Sequence, residues 1–290
     1  MRALTQKHIE AYKSGKLKKL FAAIIEDPEL SFEIRMNNEV MIYYRKDKIL
    51  TISYNNENSY SIIPLSPKYY SNTNPPSIMF DGNVNDTLIH KSDLRKYFRE
   101  AKKLVHAYKM GLEFDIQQNI ALGNRNFSNR FLVVDMEWQF SQSKLKIEDR
   151  MKHKTRIDLV VVDLLPNQTG MNDVYLAELK VGTDATTGKS GIADHIEKTK
   201  ELIEKDEACD ALRRDIESVI EQKCMLGLFK GERPSIILAN KPKMMIILAY
   251  RGEDEYKKLK EHADSAKSMA REKGMEEPYI IMYNAQIVIK

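Results

Sequence analysis

Cysteine is nearly missing from this chain, with two among 290 residues, Cys209 and Cys224. They lack CxxC spacing and metal-type neighbours, so neither a thiolate metal centre nor a disulfide framework is expected, and two packed thiols suit a reducing compartment. Long apolar runs are missing too. The longest, such as Met244 to Tyr250, fall far short of the roughly 18 residues a membrane-spanning helix takes. Met1-Arg2-Ala3-Leu4-Thr5-Gln6-Lys7-His8 contains no apolar signal region, which sets the expectation of a cytoplasmic protein. There is no internal repeat and no low-complexity tract. Neither sign of charge dominates: 46 basic against 42 acidic side chains leave +4, a weak argument for a polyanionic partner. At 42% hydrophobic and 30% charged residues, a disordered or collagen-like chain is excluded. The length suits one large domain or about two ordinary ones.

The placing of the charge says more than its sum. Lys91 to Arg130 carries nine Lys/Arg against four acids, and Lys144 to Arg156 carries six against two. Such local excess can neutralise phosphates, although a solvated helix face or loop is the plainer reading of each. Helical periodicity runs from Thr5 to Glu26 and stops at Asp27-Pro28. Four β-rich runs follow, Ser31 to Met36, Glu39 to Arg45, Lys48 to Tyr54 and Ser59 to Ile63, separated by turn residues, which reads as an antiparallel meander. A turn-rich stretch from Pro64 to Asp86 then sets a soft boundary near residue 88. This gives an N-terminal domain over 1–88, suited to target reading or dimerisation with neither favoured by its residues, and a second domain over 89–290. The latter begins with an amphipathic helix from Ser92 to Tyr108. Strands are expected at Arg130 to Phe140, Thr155 to Leu165 and Val174 to Val181, and a helix from Gly191 to Ile203. A charged helical stretch, strands at Ser235 to Ala239 and Met244 to Tyr250, a helix from Glu253 to Lys273 and a strand from Tyr279 to Ile289 complete a mixed α/β layout.

The chemistry sits on two of these strands. In Val174-Tyr175-Leu176-Ala177-Glu178-Leu179-Lys180-Val181, a strand's period of two puts Glu178 and Lys180 on one face, at the end of a run that is otherwise apolar. Burying either without a partner is costly. The preceding apolar run, Arg156 to Asp163, carries Asp158, and pairing the two runs as a hairpin brings Asp158 toward Glu178. Two carboxylates and the Leu179 carbonyl are hard oxygen donors suited to Mg²⁺ or Mn²⁺ with water completing the shell. A lysine beside them can orient a water or stabilise charge on a phosphate oxygen. Glu-x-Lys occurs four times in the chain, at Glu100, Glu178, Glu221 and Glu255. Only the one at Glu178 ends an apolar strand that follows an acid-bearing strand. The other reading of Glu178 and Lys180 is a strand end that has reached solvent and pairs with Arg156.

The arrangement resembles the PD-(D/E)xK nuclease superfamily, through Asp158, Glu178 and Lys180, over roughly Ser92 to Tyr250. Ile157 stands where many members have proline, and His195 and Thr199 stand where some have a Gln-x-x-x-Tyr motif. The resemblance implies a restriction-endonuclease-like core of helix, three strands, helix and strand in a mixed sheet. It further implies a Mg²⁺-dependent nuclease acting on nucleic acid, DNA first. Asp158, Glu178 and Leu179 would hold the ion and Lys180 would act on the attacking water, with Glu100 or Glu137 as a further acid. Lys102, Arg150, Lys152 and Arg156 would meet the nucleic acid, as would Lys189, Ser190 and His195 around the loop that follows Lys180. A non-catalytic nucleic-acid or protein interaction module that keeps the fold is the alternative, and a homodimer is the expected partner arrangement if the N-terminal section serves dimerisation.

That loop, Gly182 to Ser190, nearly spells the phosphate-cradling GxxxxGK[ST] but has five residues between its glycines instead of four, and Thr183 where the motif wants glycine. Nucleotide binding is the weaker alternative it raises. Trp138 and the methionines read as core.

Overall fold

A computed structural model describes residues 1–55, 59–76, 91–108, 111–139 and 156–285, without the side chains of 91 and 92. The chain divides into two compact units: Met1–Phe114 with Asp215–Lys230, and Asp115–Arg214 with Gly231–Lys290. The division thus falls at 114/115 rather than near residue 88, and the chain crosses between the units again within a later helix. No helix among the described residues is long and apolar enough to cross a membrane.

In the first unit, α1 (Gln6–Lys13) and α2 (Lys18–Glu26) replace the single helix expected from Thr5 to Glu26. Thr5 caps α1 by accepting from the His8 N–H. The break lies at Gly15, where the chain folds back so tightly that a Cβ would stand 2.8 Å from Ala11 Cα. The expected meander is present as β1 (Ser31–Arg35), β2 (Glu39–Tyr44), β3 (Asp47–Tyr54) and β4 (Tyr60–Pro64), all antiparallel in chain order. Its first turn, the three residues between Arg35 and Glu39, holds Asn37 and Asn38 at positive φ, and its second, Arg45-Lys46, holds both residues there, the geometry that follows the twist of a two-residue hairpin. Asparagine tolerates this, whereas Arg45 and Lys46 are held there by partners: Arg45 donates to the Gly111 carbonyl at 3.3 Å and Lys46 to Glu113 at 3.2 Å. The amphipathic helix α3 (Lys91–Tyr108) belongs to this unit, where the Tyr97 hydroxyl donates to the Ile49 carbonyl at 2.6 Å and accepts from the Leu65 N–H at 2.8 Å.

The end of α6 (Asp206–Met225) returns to complete the first unit. Gln222 exchanges two hydrogen bonds with the Leu4 backbone, at 2.8 and 3.0 Å. Lys223, the lysine of the Glu-x-Lys at Glu221, is buried and donates to Glu33 Oε2 at 2.7 Å. Glu33 in turn accepts from Ser31 Oγ. A partner 190 residues away in sequence cannot be read from local pattern.

His8 is fully buried among Tyr12, Tyr54 and Tyr60, and that burial lowers its pKa to about 4. The folded chain therefore keeps His8 neutral while the unfolded chain protonates it from about pH 6.5 downward. His8 then contributes a loss of stability that begins as the pH falls below about 6.5 and grows until about pH 4, to roughly 3 kcal/mol in all. A melting series from pH 7 to pH 4 should fall more steeply for the natural chain than for His8→Gln; parallel slopes would remove His8 as the cause.

The second unit contains a mixed sheet in the order β5-β6-β7-β8-β9, formed by Phe131–Gln139, Arg156–Asp163, Val174–Val181, Lys243–Tyr250 and Tyr279–Asn284. The first three strands are antiparallel neighbours, and β7, β8 and β9 run parallel. Parallel neighbours need crossovers, supplied by α5 (Ile192–Ile203) with the start of α6, and by α7 (Glu253–Glu272). Ile192 and Ile196 of α5 and Leu259, Ala263 and Ala266 of α7 pack on Met244, Ile246 and Leu248 of β8. The register sets Glu178 beside Ile246 and Lys180 beside Leu248, so this helix-covered face is the one that carries the two charged side chains. A further helix, α4 (Leu112–Gly123), leads into β5. Its apolar residues Leu112, Phe114, Ile116, Ile120 and Ala121 make no single stripe, so the sequence pattern does not announce this helix. An α/β fold with one antiparallel and one mixed sheet is therefore present. The short strand expected at Ser235 to Ala239 is only an isolated bridge between Leu238 and Asn172.

Candidate active site

The pairing between β6 and β7 ends at Leu159–Ala177, although both strands continue. Beyond that rung β6 stays paired with β5 through Ile157 and Arg156, while β7 stays paired with β8 as far as Val181. The two strand pairs thus fork, and Asp158 and Glu178 occupy the first register position inside the opening. The Asp158 carboxylate takes over where the ladder stops: its Oδ2 accepts from the Leu179 N–H at 3.0 Å. Because the N–H and C=O of one strand residue point to the same side, the Leu179 carbonyl faces the same opening.

On the other arm, Glu178 Oε1 lies 2.7 Å from Lys180 Nζ and 3.0 Å from His195 Nε2, and the two cationic-type nitrogens are 3.4 Å apart. His195 comes from the second turn of α5, which the packing of Ile192 and Ile196 lays over this face. Glu178 and Lys180 are both buried, so the reading of a strand end that has reached solvent fails. Arg156 is not their partner either. Its Nε lies 2.8 Å from Glu137 Oε2.

Glu137 extends the row. Met136 pairs with Leu159 and Trp138 with Ile157, so Glu137 stands in register with Asp158. It is buried, and its backbone has φ +55°, a left-handed conformation that glutamate rarely takes and that costs on the order of 1–3 kcal/mol. Gln117 of α4, fully buried, donates from Nε2 both to Glu137 Oε1 at 2.9 Å and to the Asp158 carbonyl at 3.0 Å. Gln117 Oε1 is left without a hydrogen-bond partner. Sequence reasoning missed Gln117; the one available signal was a polar Gln117-Gln118 pair inside an apolar stretch.

Glu100 is on α3 in the first unit, and the helix that leads into β5 is α4, so Glu137 is the further acid that stands in register with Asp158. Lys102 is held by Asp27 at 2.7 Å and Glu29 at 2.6 Å within the first unit, which neutralises it as a phosphate contact. Arg150 and Lys152 lie outside the described residues. The loop after β7 is wound into two short 3-10 turns, Asp184–Thr186 and Gly188–Ser190, with Lys189 and Ser190 exposed on the second. Thr186 Oγ1 is anchored between the Thr183 carbonyl and His262 Nδ1, both at 2.5 Å. Gly191, at the start of α5, allows the chain to pass so close to Thr186 and Thr187 that a Cβ would meet backbone at 2.6 Å. Trp138 is buried, as expected of a core residue, and the two cysteines are not joined.

Two carboxylates and one carbonyl fit a hard divalent cation that keeps much of its water, as Mg²⁺ does. They do not form a protein cage: among the described residues no group of three or more His, Cys, Asp or Glu could hold a metal ion. No family model matches this chain, and no curated protein or solved structure matches it either.

Proposed function

We propose that the second unit hydrolyses phosphodiester bonds in nucleic acid, DNA first, with a divalent cation, and that its sheet is a restriction-endonuclease-like core of the PD-(D/E)xK kind. The observation that carries this reading is the fork between β6 and β7, which places Asp158 and Glu178 at one register position with Lys180 and His195 against Glu178. The element sequence α4, β5, β6, β7, α5 and β8 supports this reading once α4 is taken as the first helix of the core.

Asp158, Glu178 and the Leu179 carbonyl would hold the ion. When bound, a Mg²⁺ or Mn²⁺ ion polarises a phosphoryl oxygen and makes a nearby water more acidic. The Lys180 ammonium, fixed by Glu178, presents its remaining protons to the attacking water or to a phosphate oxygen. The water oxygen forms the new bond to phosphorus as the ester P–O bond breaks. One water proton is released to solvent and the departing alkoxide takes up a proton, which leaves a phosphomonoester and an alcohol. The α5–α7 layer buries Glu178 and Lys180 and so strengthens their field at the phosphate.

Labelled single- and double-stranded DNA and RNA, incubated with Mg²⁺, Mn²⁺ or EDTA, test the reading. Cleavage of DNA with either ion and none in EDTA is expected. Cleavage that persists in EDTA would contradict it. Failure on all four substrates would favour a non-catalytic module with this fold.

A further inference from the structure

Glu137 is an unusual candidate for a metal ligand, because both its oxygens are already engaged, Oε1 by Gln117 and Oε2 by Arg156. Its backbone is nevertheless held in a left-handed conformation that any regular strand residue would avoid. Strain of this kind persists where the surroundings fix it, and it gathers at working sites. What the arrangement aims is Arg156. That residue opens β6 two positions before Asp158, so the strand's period of two directs it to the same face. Its side chain is 53% exposed, whereas that of Glu137 is 4% exposed. A guanidinium has more than one edge for hydrogen bonding. Glu137 takes the edge at Nε, which leaves the end-on pair, Nη1 and Nη2, as a planar fork matched to two oxygens of a phosphate.

We propose that Arg156 is the oxyanion-binding side chain of this site, and that Glu137 and Gln117 are positioning residues that aim its Nη1/Nη2 edge at a phosphate group of the substrate. The identity of that anion as a nucleic-acid phosphate rests on the hydrolase reading above. The same network ties the fork to the acid: Gln117 bonds the Asp158 carbonyl with one amide proton and Glu137 with the other. A phosphate on Arg156 is thereby held at a fixed place along the strand from the Asp158 carboxylate.

Anisotropy of a fluorescein-labelled DNA duplex, titrated with the full chain in EDTA at several NaCl concentrations, separates binding from cleavage. Arg156→Ala should weaken binding about tenfold and lower the slope of log K against log[salt] by about one, as loss of one phosphate contact does. Arg156→Lys should keep the slope and recover part of the affinity. Glu137→Gln is the sharper variant. It removes a negative charge, which by charge alone would tighten binding. It also leaves one acceptor oxygen where two are needed, so Arg156 or Gln117 is released and binding should weaken with the slope unchanged. Natural affinity and slope in Arg156→Ala, tighter binding by Glu137→Gln, or no duplex binding by the natural chain at low salt would each overturn the proposal. Asp158→Asn distinguishes it from the hydrolase reading, since that variant should bind the duplex at least as well as the natural chain while losing cleavage. Binding that depends on Arg156 without any cleavage would end the hydrolase reading and keep this one. Cleavage unaffected by Arg156→Ala would do the reverse.

Discussion

Asp158→Asn should lower metal-dependent cleavage by about 10³-fold, of the order seen when one electrostatic or proton-handling group is lost, with little change in melting temperature. The choice of asparagine matters. Asp158 has a structural task, accepting from the Leu179 N–H at the point where the β6–β7 ladder ends, and an asparagine oxygen can still do this. What asparagine lacks is the charge that a divalent ion requires. Asp158→Ala should lose the activity and also cost on the order of 1–3 kcal/mol, because a buried N–H is left without its acceptor. Lys180→Ala should lose activity to a similar extent while leaving metal affinity in place. If Asp158 served only to close the ladder, Asp158→Asn would cleave as the natural chain does.

The second large effect concerns stability, and its place is the first unit. Lys223→Met should destabilise the chain by about 3–5 kcal/mol, because it breaks a buried ion pair by removing the ammonium that Glu33 Oε2 meets at 2.7 Å. The Glu33 and Lys223 side chains are each 1% exposed, and the ammonium also stands 5.8 Å over the Phe229 ring. Neither charge has water to fall back on. A fall of about 10 °C in melting temperature is the expected size for such a loss. Combining Lys223→Met with Glu33→Leu removes both charges together and should recover most of it, since desolvating an ion pair offsets much of its attraction. A double variant no more stable than Lys223→Met alone would show that the pair itself, rather than the cost of the acid left behind, accounts for the stability.

Much of the second sheet was legible from sequence because it is written in local terms. Runs such as Leu159 to Val162 and Met244 to Ala249 are apolar for their whole length, which suits strands covered on both faces. Glu178 and Lys180 stood out as charges in such a run, and the structure buries both. Other features depend on partners distant in the chain. The helix from Ser92 to Tyr108 shows a clear apolar stripe, but a stripe does not say which sheet it covers; that depends on contacts such as Tyr97 with Ile49 and Leu65. For the same reason Glu100, placed at the site by its order in the chain, lies in the other unit. The burial of Lys223 has no local signal, because its acid is on β1. The Glu137 conformation has no sequence signature, because glutamate has no preference for positive φ.

The proposed divalent-cation site in the fork between β6 and β7 can be seen or refuted by anomalous diffraction from crystals soaked in Mn²⁺. One peak is expected between the Asp158 and Glu178 carboxylates, within reach of the Leu179 carbonyl and missing from crystals of Asp158→Asn. Crystals that take up Mn²⁺ elsewhere, or show an undisturbed Glu178–Lys180–His195 cluster with no peak beside it, would overturn the proposed site.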